Sequence, residues 1–221
     1  MKKLIFLIAG LMVLSASAFA ASTEMNRDES LIYVGVAPFG IDIPTLVTTP
    51  LSVGVYLGQN FMVAGEIGFP AKYEFTDSNT NQKATVEYTN FGGYGRWFPG
   101  TNSFNLFGGI HQRTLSFSGF AKYTDPATGA SLQTFVEAKM AAMVAELGIG
   151  NQWISDFGLT FGLDWFALRG VLAQTESVTD SGGYTTLAPA QKNEVLSNMK
   201  DVNTALNGLP GLFIMSIGWA F

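Results

Sequence analysis

Large apolar side chains recur at every second position along much of this 221-residue chain. The last stretch shows the pattern most plainly. Phe213, Met215, Ile217, Trp219 and Phe221 are large and apolar, while Ser216, Gly218 and Ala220 between them are small, with Ile214 the exception. Successive side chains of a strand point to opposite faces, so this spacing predicts a strand with one greasy face and one lean one. The same period marks seven earlier segments, over 30–39, 51–57, 61–75, 83–98, 104–120, 134–150 and 157–172. In the third, Phe61, Val63, Ile67 and Phe69 oppose Met62, Ala64, Glu66 and Gly68. In the fourth, Phe91, Gly93, Gly95 and Trp97 oppose Tyr88, Asn90, Tyr94 and Arg96. The seventh sets Phe157, Leu159, Phe161, Leu163 and Trp165 against Gly158, Thr160, Gly162 and Asp164.

Turn-forming clusters separate these segments. Short ones fall at Gly58, at Pro99 and at Asn151, where NQWISD reads as a turn. The alternate connections, near Gly40, Ser78, Asp125 and Ala173, are longer. Eight strands whose connections alternate short and long suit a small closed antiparallel barrel with its short turns all at one end. The fifth segment breaks the pattern, since Leu106 and Ile110 lie on one parity and Leu115 and Phe117 on the other. Either a bulge or passage beyond the layer that sets the alternation accounts for this, and the direction of His111 stays open.

One element differs from the rest. Between Pro189 and Leu206, Val195, Leu196, Met199, Val202 and Leu206 recur at spacings of one, three and four, which predicts an amphipathic helix over about 189–206. Pro189 suits its first position and Asn207-Gly208 its end. A helix in the last connection must bury its stripe, against its own loops, at a barrel mouth, on lipid headgroups or on a partner.

Composition sharpens the class. Apolar residues make up 48% of the chain and charged ones only 13%, with 25 glycines. Beyond the N-terminus, no run approaches the ~18 apolar residues of a spanning helix. Hydrophobicity dispersed over short alternating segments fits a bilayer-spanning barrel, in which every backbone polar group is paired internally. A soluble β-sandwich is the competing architecture. The opening MKKLIFLIAGLMVLSASAFA carries Lys2 and Lys3, an apolar run and Ala18-Phe19-Ala20, the pattern of a cleaved secretory signal over 1–20. The remainder, 21–221, then forms one domain. Removing the leader takes two Lys and no acid, so 12 basic residues become 10 against 17 acidic ones. An acidic chain without basic clusters argues against nucleic-acid binding. With no Cys, a disulfide framework and a lipid-modified cysteine are excluded.

The closing strand, ending on Phe221 with Trp219 two residues before it, resembles the last strand of bacterial outer-membrane β-barrels. The whole chain is similar in plan to the small eight-stranded members, such as the OmpA membrane domain and the OmpW-like barrels. The resemblance implies an outer-membrane location reached through the periplasm, lipids as surroundings, and recognition of Phe213, Met215, Ile217, Trp219 and Phe221 by the barrel-assembly machinery. It also implies an aromatic girdle, for which Tyr56, Phe61, Trp97, Phe98, Phe104, Trp153, Phe157, Trp219 and Phe221 are the candidates near the short-turn end. The sequence stops at Phe221, so no wall-tethering domain is expected. The helix in the last connection departs from members with short loops.

Charges on the lean faces carry the candidate chemistry. Glu66, Arg96, Glu146 and Asp164 would cost several kcal/mol each if they faced hydrocarbon, so they are expected in the lumen. The simplest pairing joins Arg96 to Glu66 or Glu146. His111 and Arg113 are further lumen candidates. One His does not build a metal site without partners, and no spacing suggests them. The barrel lipid-A deacylases carry Ser two residues after their His; here that position is Arg113. No catalytic residue, metal or cofactor is therefore expected. The reading is a non-enzymatic membrane barrel with a side-chain-filled lumen and a structural or surface-interaction role. The alternatives are a narrow conduit for a small hydrophobic ligand, as the OmpW-like resemblance implies, and a lipid-modifying enzyme.

Overall fold

The computed structural model describes residues 23–41, 48–76, 83–100, 102–124, 129, 131–180 and 189–221. The expected signal segment, residues 42–47 of the connection near Gly40 and the connection at 77–82 lie outside them, as does most of the connection at 125–129. Eight strands, β1 (Ile32–Ile41), β2 (Pro50–Tyr56), β3 (Phe61–Thr76), β4 (Lys83–Trp97), β5 (Phe104–Thr124), β6 (Ser131–Ile154), β7 (Leu159–Asp180) and β8 (Gly211–Ala220), follow one another around a closed barrel. Every neighbour pair is antiparallel, and β8 returns to β1 with Val34 opposite Trp219. At that seam Ile32 and Phe221 exchange backbone hydrogen bonds of 3.1 and 2.9 Å. The terminal aromatic therefore helps to close the cylinder.

Alternation decides which way each side chain points. Val53, Phe61, Val63, Ile67, Phe69, Phe91, Trp97, Leu147 and Ile217 lie exposed on the outside. Met62, Ala64, Asn90, Arg96, Asn105, Thr160 and Asp164 are buried inside. Short turns join β2 to β3, β4 to β5 and β6 to β7 at one end. Gly158 has φ 93°, and a Cβ there would collide with the carbonyl oxygen of Ala220, so this turn requires glycine.

Several boundaries differ from the sequence reading. β6 continues through the NQWIS stretch to Ile154, and the turn lies at Ser155–Gly158. β7 runs on to Asp180, well past the expected end at Leu172. The register of β5 against both neighbours is unbroken from Leu106 to Ser118, so it holds no bulge there. The register shifts of β7 against β6 lie instead at Trp165 and, farther on, at Leu172. Gly150 pairs with Asp164 and Ile149 with Phe166, leaving Trp165 as the extra residue. Phe213 beside it takes φ 50°, and its ring meets that of Trp165 edge-on at 6.2 Å. Trp165 and Phe166 both face out as a result.

Two of the girdle candidates point inward. Tyr56 and Phe98 are buried, whereas Phe61, Trp97, Phe104, Phe157, Trp219 and Phe221 are exposed on the outer surface. Tyr56 lies on the parity opposite Val53 and Val55, and Phe98 on that opposite Trp97, so the strand period itself turns them inside. There they join Tyr33, Met62, Ala64, Ile154 and Ala220 in an apolar cluster that fills the short-turn end. The Tyr33 ring lies over Gly35 and Gly218, where any Cβ would strike it.

The stretch before β1 forms a short helix, α1 (Thr23–Glu29). It caps this same end. Arg27 is fully buried, its guanidinium 4.2 Å from the centre of the Phe98 ring and its Nε donating to the Gln59 carbonyl at 2.8 Å. Asn26 donates to the Ile154 carbonyl at 3.0 Å and to Asp156 at 3.2 Å.

At the opposite end β3 to β7 rise beyond the others, and helix α2 (Pro189–Gly208) packs against β7 and β6. Thr204 donates to Gln174 at 3.1 Å and Asn203 to Glu176 at 3.2 Å, pinning the helix to β7. Val195, Leu196, Met199 and Leu206 are half-buried, while Asn203 and Asn207 are the buried positions. The side chain of Val202 lies outside the described residues. On the β3 extension Lys72 pairs with Glu74 at 3.1 Å, and this hydrogen-bonded ammonium holds the Glu74 carboxyl below the usual carboxylate range.

Candidate functional site: the charged lumen

Between the apolar plug and α2 the lumen holds a compact set of charges. Each reaches it by the inward parity of its strand. The lower tier is centred on Arg96 of β4. Its Nη1 and Nη2 donate to the two carboxylate oxygens of Asp164 on β7, at 2.6 and 2.8 Å, a bidentate pair. Nη1 also donates to Asn105 Oδ1 at 2.9 Å. The guanidinium sits 4.9 Å from the Phe107 ring and 5.2 Å from that of Tyr94. Arg96 therefore pairs with Asp164, not with Glu66 or Glu146 as expected. The stagger of a tilted barrel decides this: it brings residue 96 of β4 level with residue 164 across the lumen, although these strands are not neighbours.

Glu146 of β6 belongs to a higher tier. Its Oε2 accepts from Arg169 Nε at 2.6 Å and lies 3.6 Å from Arg113 Nη2. Glu66 of β3 accepts from Asn90 Nδ2 at 3.0 Å and lies 3.7 Å from His111 Nδ1. His111 and Arg113 are both buried and point inward.

Arg169 is the member that sequence reasoning missed. Counted from Phe157 it falls on the outward parity, with Phe161, Leu163 and Trp165. The extra residue at Trp165 reverses the parity, so Ala167 and Arg169 turn in. An arginine stranded on a lipid-facing parity was itself the signal that alternation breaks before it. Asn90 and Asn105, which complete the network, were visible only as small polar residues on inward positions.

What this arrangement does chemically is fill space. Three guanidiniums, three carboxylates and His111 leave a cavity of about 50 Å3 between them, room for little beyond water. Among the described residues no group of three or more His, Cys, Asp or Glu is gathered as a metal site would need. No Ser stands two positions after His111.

No family model matches the chain, and no curated protein matches it. Among solved structures it is similar to CarO of Acinetobacter baumannii, at 9% sequence identity and a TM-score of 0.45, over 87% of this chain and 98% of that one. The fold itself is plain: this is an all-β chain, a closed eight-stranded antiparallel barrel with a helix before its last strand.

Proposed function

We propose that the chain is an integral outer-membrane protein, exported through the periplasm, that performs no catalysis and presents its extended β3–β7 wall and α2 at the outer surface. The barrel is a rigid anchor whose lumen is closed by its own side chains. The observation that carries this reading is the inversion of polarity: hydrocarbon outside, ion pairs inside. Val63, Ile67, Phe91, Leu147 and Leu168, on strands β3, β4, β6 and β7, are all exposed. Soluble monomers seldom expose contiguous apolar patches beyond a few hundred Å2. Farther along the strands the outer face turns polar, at Thr85, Glu87, Ser116, Ser118, Glu137, Lys139, Ser177 and Thr179. That change of character is what passage from hydrocarbon into water requires.

Two plugs in series oppose conduction. Phe98 and Met62, capped by α1, seal the short-turn end, and the ion pairs fill the middle. In planar bilayers the protein should insert without steady conductance; a large, steady single-channel current would overturn the sealed-lumen reading. The cavity beneath α2 favours a second reading, a route for small hydrophobic molecules entering from the mouth. Deletion of Pro189–Leu206 with uptake unchanged would count against a gating role for the helix.

A further inference from the structure

The mouth of the barrel holds a second cavity, of about 230 Å3, distinct in character from the charged lumen below it. Its walls are Tyr73 of β3, Val86 and Tyr88 of β4, and Leu115 of β5, and α2 closes it with Leu206 between Asn203 and Asn207. The closing helix is fixed rather than merely resting there. Asn207 Nδ2 donates to Asn203 Oδ1 at 2.7 Å and to the Asn203 carbonyl at 2.9 Å, and Asn203 is bonded in turn to Glu176. Only carbon-rich side chains and these two amides face the space, apart from one residue.

That residue is Arg113, which lines this cavity and the charged one alike. It shares Glu146 with Arg169, and Arg169 holds the closer position, 2.6 against 3.6 Å. Arg113 and Arg169 meet at Glu146, and of the two only Arg113 reaches the floor of the apolar chamber. Among the described residues, no carboxylate lines that chamber.

We propose that the chamber beneath α2 is a binding site for a small amphipathic anion, a medium-chain monocarboxylate. Its apolar body lies among Tyr73, Val86, Tyr88, Leu115 and Leu206, and its carboxylate meets Arg113. Predominantly apolar walls with one oriented charge are the usual make-up of a small-molecule site. A planar guanidinium suits a carboxylate in particular, through two parallel hydrogen bonds. The proposal does not depend on whether the lumen conducts, so a bilayer recording and a binding measurement fail independently.

The test uses the full chain in phosphatidylcholine nanodiscs, titrated calorimetrically with octanoate, octanol and octylamine, with empty nanodiscs subtracting partition into lipid. Octanoate should give a saturable, equimolar isotherm. Octanol, which lacks the charge-assisted hydrogen bonds, should bind about ten-fold more weakly, and octylamine should show no saturable binding. Leu206→Trp narrows the chamber from the helix, leaves every barrel residue unchanged and should weaken the octanoate isotherm. Arg113→Gln should bring octanoate down to the level of octanol. Retained heat-modifiable mobility on gels establishes that each variant is folded. If Arg113→Gln fails to fold, Leu206→Trp and the three-ligand comparison decide the matter. Octanoate heats equal to those of empty nanodiscs, equal binding of octanoate and octylamine, or unchanged binding by Leu206→Trp would each overturn the proposal.

Discussion

Removing the guanidinium of Arg96 should destabilise the barrel far more than removing its whole pair. The side chains of Arg96 and Asp164 are only 7% and 11% exposed, and the two are joined by a bidentate contact. Arg96→Met leaves the Asp164 carboxylate buried without its counter-charge and Asn105 Oδ1 without its donor. Breaking a buried pair in this way costs about 3–5 kcal/mol. Asp164→Leu strands the guanidinium and should cost a similar amount. The double variant strands no charge, and replacing a buried pair by hydrocarbon of similar volume is often neutral or better. The cycle should therefore show coupling of about 3 kcal/mol or more, with the double variant more stable than either single. Urea unfolding in lipid vesicles, followed by tryptophan emission, measures this. With a slope of about 1–3 kcal/mol per M, each single variant should move the midpoint by about 1–5 M. Single variants as stable as the parent, or effects that simply add in the double variant, would refute the claim that this pair is a mutually dependent part of the lumen.

Further outcomes follow from other parts of the fold. Ile67→Arg, on the exposed apolar belt, should lose about 2–4 kcal/mol of insertion free energy, whereas Ser118→Arg on the polar outer face of the extended wall should cost almost nothing; folded fractions in vesicles compare the two. Gly158→Ala meets both a left-handed backbone and the Ala220 carbonyl, and should cost about 1–3 kcal/mol in the same urea assay. Arg27→Met removes the contact with Phe98 and the charged hydrogen bond to Gln59, for a loss of about 1.5–3 kcal/mol.

The barrel was legible in the sequence because a strand with hydrocarbon on one face and a polar lumen on the other must alternate, and a period of two survives any uncertainty about ends. Glu66, Arg96, Glu146 and Asp164 were placed inside by exclusion alone. Their partners were not legible, because the contact between Arg96 and Asp164 depends on tilt and stagger across the lumen, which no local pattern encodes. Arg169 was misplaced for a related reason: one extra residue at Trp165 reverses the parity as far as Leu172, where a second extra residue restores it. Tyr56 and Phe98 were assigned to the girdle by their position near a turn, although parity already turned them inward. The ends of β6 and β7 were set too early, since alternation loses its physical cause once a strand leaves hydrocarbon for water. Helix α1 is seven residues long and too short for its periodicity to stand out; its role is visible only through what Asn26 and Arg27 touch. Helix α2 was legible as an amphipathic element, but its most deeply buried described positions, Asn203 and Asn207, are polar and escaped a search for apolar stripes.

The most direct test of the inverted polarity uses the absence of native cysteine, which leaves each introduced thiol unique. Single cysteines at 62 to 68 along β3, spin-labelled in phosphatidylcholine nanodiscs, report collision with oxygen, which concentrates in hydrocarbon, and with a water-soluble nickel chelate. Labels at Val63, Gly65 and Ile67 should collide strongly with oxygen and weakly with nickel, and those at Met62, Ala64, Glu66 and Gly68 weakly with both. Oxygen collision that fails to alternate with a period of two, or that peaks at Met62, Ala64 and Glu66, would contradict a barrel that wears its apolar face toward lipid.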